Sequence, residues 1–214
     1  MELADVLARR RMVRRYDPDL PVDAEALEVV LAAALRAPSA GFTQGVALLV
    51  LEAPEERERF WAATVPAAPG SGPEEPEPVA RPNRWLDGMR TAPVLVLVLT
   101  SREAYLDRYA EPDKGWTDRD EDRWSAPYWF VDAGMAAMAM LLRAVDLGLG
   151  ACFFGVPVDR VEAVHAAFGV PPDQLGVGVV SLGHPVTQGD RGSRGSPARR
   201  VRRPADELVH RGAW

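Results

Sequence analysis

The chain reads as an α+β or α/β domain, a small sheet wrapped by helices, and three observations point there. Pro93 to Thr100 is almost wholly Val and Leu, as in a strand covered on both faces. Asp23 to Leu35 repeats apolar residues at three and four. Trp129 to Leu147 is apolar nearly all round and studded with Ala, so it belongs at the centre of something larger. At 214 residues, 47% hydrophobic and 26% charged, the chain can bury a substantial core as a single domain over 1–214.

The elements follow in order. Leu3, Val6 and Leu7 share one face of a short helix that runs into a basic turn and stops at Asp17-Pro18. Asp23 is placed to cap the next helix, in which Leu27, Val30, Leu31, Ala34 and Leu35 recur until Pro38. A Pro-Ser-Ala-Gly loop leads to a covered strand at Val46–Leu51, and Pro54–Thr64 reads as helix. Residues 65–83 hold six prolines and read as a surface loop. The 101–130 stretch is first acidic and basic, then aromatic, and Gly148 and Gly150 close the long helix. Ala151–Phe154 suits a short strand, Asp159–Phe168 a helix, Gly176–Gly183 a strand and Ala205–His210 a last short helix, with a Gly/Ser/Arg loop before it. Strand order is not readable from this pattern.

Charge is unevenly spread. The net charge is 25 − 31 = −6, which argues against generic nucleic-acid binding. Yet Arg9, Arg10, Arg11, Arg14 and Arg15 cluster near one end and Arg199, Arg200, Arg202 and Arg203 near the other, and without those nine the rest stands at −15. Guanidinium groups favour bidentate contact with phosphate, so the clusters are either a focused anion site or two solvated arms. One cysteine, Cys152, allows no intrachain disulfide, and Glu2 and Asp5 do not suit a secretion signal. The expectation is a reducing, cytoplasmic setting with no membrane span, since Asp132, Arg143 and Asp146 interrupt the apolar helix.

No dinucleotide fingerprint, Walker loop or hydrolase signature is present, and His165, His184 and His210 lack metal-ligand spacing. Cys152, between small residues and two phenylalanines, suits a buried hydrophobe better than a nucleophile. The loop Ala37 to Gln44 can offer a hydroxyl, an amide and backbone groups to a planar ring, or can be a plain turn. An enzyme built from these parts borrows its chemistry from a cofactor.

Taken in order, the motifs resemble the nitroreductase-like family of FMN oxidoreductases along nearly the whole chain. Arg10-Arg11-Met12-Val13-Arg14-Arg15-Tyr16 is similar to that family's Arg-Arg-Ser-x-Arg-x-Phe phosphate segment. Leu35 through Ala37-Pro38-Ser39-Ala40-Gly41-Phe42-Thr43-Gln44 resembles its Ala-Pro-Ser-x-x-Asn-x-Gln-Pro-Trp loop, with Met12, Phe42 and Gly45-Val46 departing from Ser, Asn and Pro-Trp. Asp132-Ala133-Gly134 through Gly148-Leu149-Gly150-Ala151-Cys152 resembles the central helix and its exit, and Arg200-Val201-Arg202-Arg203-Pro204 with Glu207 to His210 the closing basic segment.

The resemblance implies a nitroreductase-like α+β fold: a central, mostly antiparallel sheet wrapped by helices, forming a homodimer whose C-terminal arm, 187–214, embraces the partner. It implies FMN as cofactor, NADPH or NADH as electron donor and a flat small-molecule acceptor, a nitroaromatic, quinone or activated alkene, served by a ping-pong mechanism. The implied cofactor contacts are Arg10, Arg11, Met12, Arg14, Pro38, Ser39, Ala40, Gln44, Arg200 and Arg202, with backbone at Phe154 and Gly155 near the redox-active nitrogen and no catalytic side chain. Asn83 and Arg84 are further candidates for the flavin. Phe42, Trp124, Tyr128 and Trp129, with Trp116 nearby, are candidates either for stacking on substrate or for core packing. A flavin-dependent oxidase or dehydrogenase of a specialised metabolite, a flavin- or nucleotide-binding module without turnover, and a nucleic-acid-binding arm are the competing readings.

Overall fold

A computed structural model describes residues 1–65, 83–186 and 201–214. Most of the Pro-rich 65–83 stretch, the loop from residue 187 onward, Arg199 and Arg200 lie outside the described residues. Among those described, seven helices and four strands run in the order α1 (Leu3–Arg9), α2 (Ala24–Leu35), β1 (Val46–Leu51), α3 (Pro54–Thr64), α4 (Arg84–Met89), β2 (Val94–Thr100), α5 (Arg102–Ala110), α6 (Tyr128–Asp146), β3 (Gly150–Phe154), α7 (Val161–Phe168) and β4 (Leu175–Gly183).

The sheet has the order β1-β2-β4-β3 and is antiparallel throughout. Val46 faces Thr100, Val94 faces Leu182 and Gly150 faces Gly183, with one irregularity at Val98/Leu99. All seven residues of β2 are buried. Val94, Val96 and Val98 point to the side covered by α2 and α6, while Leu95 and Leu97 point to the side covered by α3 and α7. β1 is an edge strand and only half-buried, so its apolar run reflects cover on one face and an open flank rather than enclosure.

α6 is the central helix. Ala133, Ala136, Ala137, Met140, Leu141 and Ala144 are buried against β2, β4 and α2, and the alanines permit the close approach. Its opposite face, with Phe130, Val131, Gly134, Met135 and Met138, is exposed in the single chain. By length and composition the helix could cross a bilayer, yet its buried half is the core of this domain. Local signals start and stop the helices as expected: the Asp23 carboxylate accepts from Ala26 N at 3.1 Å, and Gly148 adopts a positive φ just past α6.

Two expectations change. The basic segment after α1 is extended, not a turn: Met12 bridges to Ala151 and Val13 N donates to Ala151 O at 2.9 Å, so Met12–Val13 lies alongside β3, and Tyr16 bridges on to Pro185. The closing helix is a single 3-10 turn at Ala205–Glu207, and every residue from Val201 to Trp214 is exposed. A six-residue helical pattern gains nothing without a surface to bury against. α5, in the charged 101–130 stretch, was not anticipated; it buries only Tyr105 and Leu106.

Met140→Ala is expected to lower unfolding stability in urea by about 2–5 kcal/mol, because Met140 is fully buried between α6 and the sheet. A loss under about 1 kcal/mol would mean that this layer is not close-packed.

Candidate functional site

The arginine segment is held by its backbone and leaves its charges free. Arg14 O passes so close to α4 that a Cβ on Gly88 would lie 2.3 Å from it, which only glycine avoids. Tyr16 anchors the far end: its N–H donates to Thr91 Oγ1 at 2.8 Å, and its hydroxyl bonds Val13 O and Ser181 Oγ, each at 2.7 Å. The ring is fully buried, and burial pushes its phenol far above the ordinary tyrosine range. Arg10, Arg11, Arg14 and Arg15 make no ion pair or side-chain hydrogen bond among the described residues. Arg10 and Arg11 line an open recess of about 490 Å³ with Val145, Gly148 and Gly150. A row of uncompensated guanidinium groups on a fixed backbone is suited to an anion.

β3 lies beside this segment and ends at Phe154. The Phe154 ring stacks on Trp61 at 5.7 Å and meets Trp85 edge-on at 5.6 Å, so its side chain belongs to an aromatic layer. Gly155 is exposed, and its N–H donates to no group among the described residues. Cys152 is buried, and burial raises its thiol above the usual cysteine range, as fits a packing residue. Asn83 caps α4 by accepting from Leu86 N at 3.2 Å, and Arg84 is exposed. Trp85, partly exposed beside Phe154, was missed by sequence reasoning; only its place in the aromatic layer marks it.

The Ser39–Gln44 loop is a separate construction. Gly41, Phe42 and Gln44 all have positive φ, at 62°, 57° and 56°. For the two non-glycine residues this costs on the order of 1–3 kcal/mol each, a strain that the surroundings must support. Gln44 N donates to Ser39 Oγ at 3.0 Å and Thr43 Oγ1 to Ala40 O at 2.6 Å. Ala40 N donates to Asp132 Oδ2 at 2.7 Å, and Arg108 Nε donates to Gly41 O at 2.8 Å. The result turns Phe42, 75% exposed, and the exposed Gln44 away from the body.

Trp124 and Tyr128 join the same region through α5. The Tyr109 ring lies against Gly41 and 4.2 Å from Trp124, which meets Trp116 and Tyr128 at 5.3 Å each. Trp129 is different: it is buried and faces Tyr105, so helical phase turns it into the core while Tyr128 stays half-exposed.

The sequence-predicted site residues therefore fall into two groups. Arg10, Arg11, Met12, Arg14, Phe154 and Gly155 lie along the β3 edge, with the Arg10 recess at the C-terminal end of α6. Pro38, Ser39, Ala40, Phe42 and Gln44 lie at the β1 edge and the N-terminal end of α6, where Ala40 N bonds Asp132. From Asp132 to Val145 is about 20 Å along the helix at 1.5 Å per residue, and three strand spacings separate the edges by about 14 Å. One chain does not bring the groups together. Arg202 is exposed and makes no ion pair among the described residues, while Arg203 pairs with Glu207 at 3.0 Å.

Fold and site thus define an α+β protein with an edge of unpaired arginines and a strained polar loop. The family model described as Nitroreductase family matches residues 7–184, and the chain belongs to that family. It is 27% identical over 187 residues to a Methanothermobacter thermautotrophicus protein named "Putative NADH dehydrogenase/NAD(P)H nitroreductase", covering 86% of this chain and 78% of the relative. A solved structure from Desulfovibrio desulfuricans, described as "a putative nitroreductase in complex with fmn", superposes with a TM-score of 0.69 at 24% identity over 100% of this chain and 98% of that one. Another given the same description, from Exiguobacterium sibiricum 255-15, has a TM-score of 0.68 at 19% identity over 98% and 97%. The expected nitroreductase-like α+β fold is the observed one.

Alkaline titration followed at 295 nm reads the buried phenols. Tyr16 and Tyr105 both have pKa values raised, chiefly by burial, so their neutral forms stabilise the fold, and that stabilisation is lost as pH rises above about 10, where the unfolded phenols ionise. At least two of the four tyrosines should ionise only as the chain unfolds. Four phenols titrating together in the folded protein near pH 10 would contradict their placement.

Proposed function

We propose that this protein is an FMN-dependent NAD(P)H oxidoreductase that works as a homodimer, with each flavin site assembled from two chains. The observation that carries the reading is the separation of the two half-sites along α6. An antiparallel pairing of two α6 helices through the exposed Phe130, Val131, Met135 and Met138 face would set one chain's arginine edge opposite its partner's Ser39–Gln44 loop. The C-terminal segment supports the same reading, since Val201, Leu208, Val209 and Trp214 are all exposed, as an arm destined for another chain would be. The FMN-bound structures of similar fold and the nitroreductase names of relatives agree with it.

The donor set fits the cofactor. Arg10, Arg11 and Arg14, unpaired among the described residues, together with Arg202 and with Arg200 beyond them, would hold the phosphate, and Met12 would line the approach. Pro38, Ser39, Ala40 and Gln44 of the second chain would meet the ring and its side chain. When bound, FMN supplies the hydride chemistry. The free Gly155 N–H beside Phe154 would be the donor available to the redox-active nitrogen. Phe42, Trp124 and Tyr128 would form the apolar wall against which NAD(P)H and then a nitroaromatic, quinone or activated alkene lie in turn, which is a ping-pong order. No side-chain base is required.

Arg14→Ala combined with Arg202→Ala should weaken FMN binding by several kcal/mol, at about 1.5–3 kcal/mol per charge-assisted hydrogen bond. Riboflavin, which lacks the phosphate, should be little affected; unchanged FMN affinity in a flavin titration would sink the phosphate assignment. Deleting residues 201–214 should reduce both dimer stability and flavin retention. A flavin-loaded truncated dimer at micromolar concentration would rule out the embracing arm.

A further inference from the structure

The Ser39–Gln44 loop is supported by residues that reach neither its tip nor the arginine edge. Asp132 is 2% exposed and sits at the start of α6, 92 residues from Ala40. Its Oδ2 accepts two hydrogen bonds, from Ala40 N at 2.7 Å and from the Tyr105 hydroxyl at 2.8 Å. Tyr105 is fully buried, so its hydroxyl is held in one place by α5 and aims the carboxylate at the loop. Arg108, one turn along α5, grips a second peptide, Gly41–Phe42: Nε donates to Gly41 O at 2.8 Å, while Nη1 and Nη2 form a bidentate pair with Asp113 at 2.7 and 2.8 Å. The Arg108 guanidinium holds the Asp113 carboxyl below the usual carboxylate range, which keeps this pair charged. Tyr109 fills the space over Gly41, where a Cβ would lie 2.7 Å from its ring.

The loop's two non-glycine left-handed residues, Phe42 and Gln44, sit just after the two peptide groups gripped in this way. Without the grip, nothing in their side chains favours that backbone form. We propose that Asp132, Tyr105 and Arg108 are positioning residues that hold the Ser39–Gln44 loop in its left-handed form before any ligand binds. Through Arg108 and Asp113, the 102–113 region then sets cofactor affinity at the ring end without touching the cofactor. The effect on cofactor rests on the function proposed above; the ordering of the loop does not.

Hydrogen exchange read by mass spectrometry on the full chain, stripped of ligand and again with FMN, tests this. In Tyr105→Phe, which keeps the buried ring, and in Arg108→Met, amides of residues 40–44 should exchange at least about tenfold faster without ligand, while those of 136–146 stay unchanged. Asp113→Ala, at an exposed position, removes the bidentate partner of the Arg108 fork while Glu111 still pairs with Nη1 at 3.1 Å, and should give a smaller acceleration of the same amides. Riboflavin and FMN dissociation constants should both rise about tenfold in Arg108→Met, unlike the phosphate-specific loss expected for the arginine edge. Unchanged exchange at 40–44 in Tyr105→Phe and Arg108→Met would overturn the proposal, as would acceleration spread evenly over the whole chain. If the unaltered protein binds no FMN, the oxidoreductase reading fails, and the exchange comparison still decides whether the loop is held in this way.

Discussion

α6 lies directly on the middle of the sheet because its alanines let it approach β2 and β4, and the two proposed half-sites of this chain lie at its two ends. Its buried stripe of Ala133, Ala136, Ala137 and Met140 fixes where it sits. Its length then fixes how far Asp132 stands from the recess at Val145 and Gly148. A single half-buried helix thus sets both the stability of the core and the spacing of the two proposed half-sites. That spacing keeps the two half-sites apart within one chain, and in the proposed homodimer the uncovered outer face of the same helix would bring a partner's half-site to each.

The two half-sites use different physics. At the β3 edge, rigidity comes from backbone pairing, Met12 to Ala151 and Tyr16 to Pro185, and the side chains contribute long-range charge. At the β1 edge, rigidity comes from side chains gripping peptide groups, and the charge is neutralised locally by the Arg108–Asp113 pair. A phosphate needs the first kind of surface and a flat polar ring the second, since charge attracts at a distance whereas a ring edge is recognised only by donors and acceptors held in place.

Much of the fold was legible in the sequence where the signal is local. The Val/Leu run of β2, the Asp23 cap and the glycine after α6 each specify their element within a few residues. Strand order was not legible, because pairing such as Val94 with Leu182 joins residues far apart in the chain. α5 was hidden by its charges, having only two buried residues to mark an apolar face. The arginine segment and the Ala37–Gln44 loop stood out as motifs, but their separation within one chain was invisible without the sheet between them. The supports of the loop were harder still: nothing in the pattern of Tyr105, Arg108 and Asp132 shows that Asp132 and Arg108 reach Ala40 and Gly41 or that Tyr105 holds Asp132. The direction of Trp129 depended on helical phase at the first turn of α6, which a run of aromatics does not reveal.

The central claim is a working flavin site, and the visible absorption spectrum of the purified protein with FMN, before and after NADPH is added without oxygen, tests it most directly. The account predicts flavin bands that stay with the protein through gel filtration and bleach on addition of NADPH. Protein that elutes colourless after saturation with FMN would contradict it.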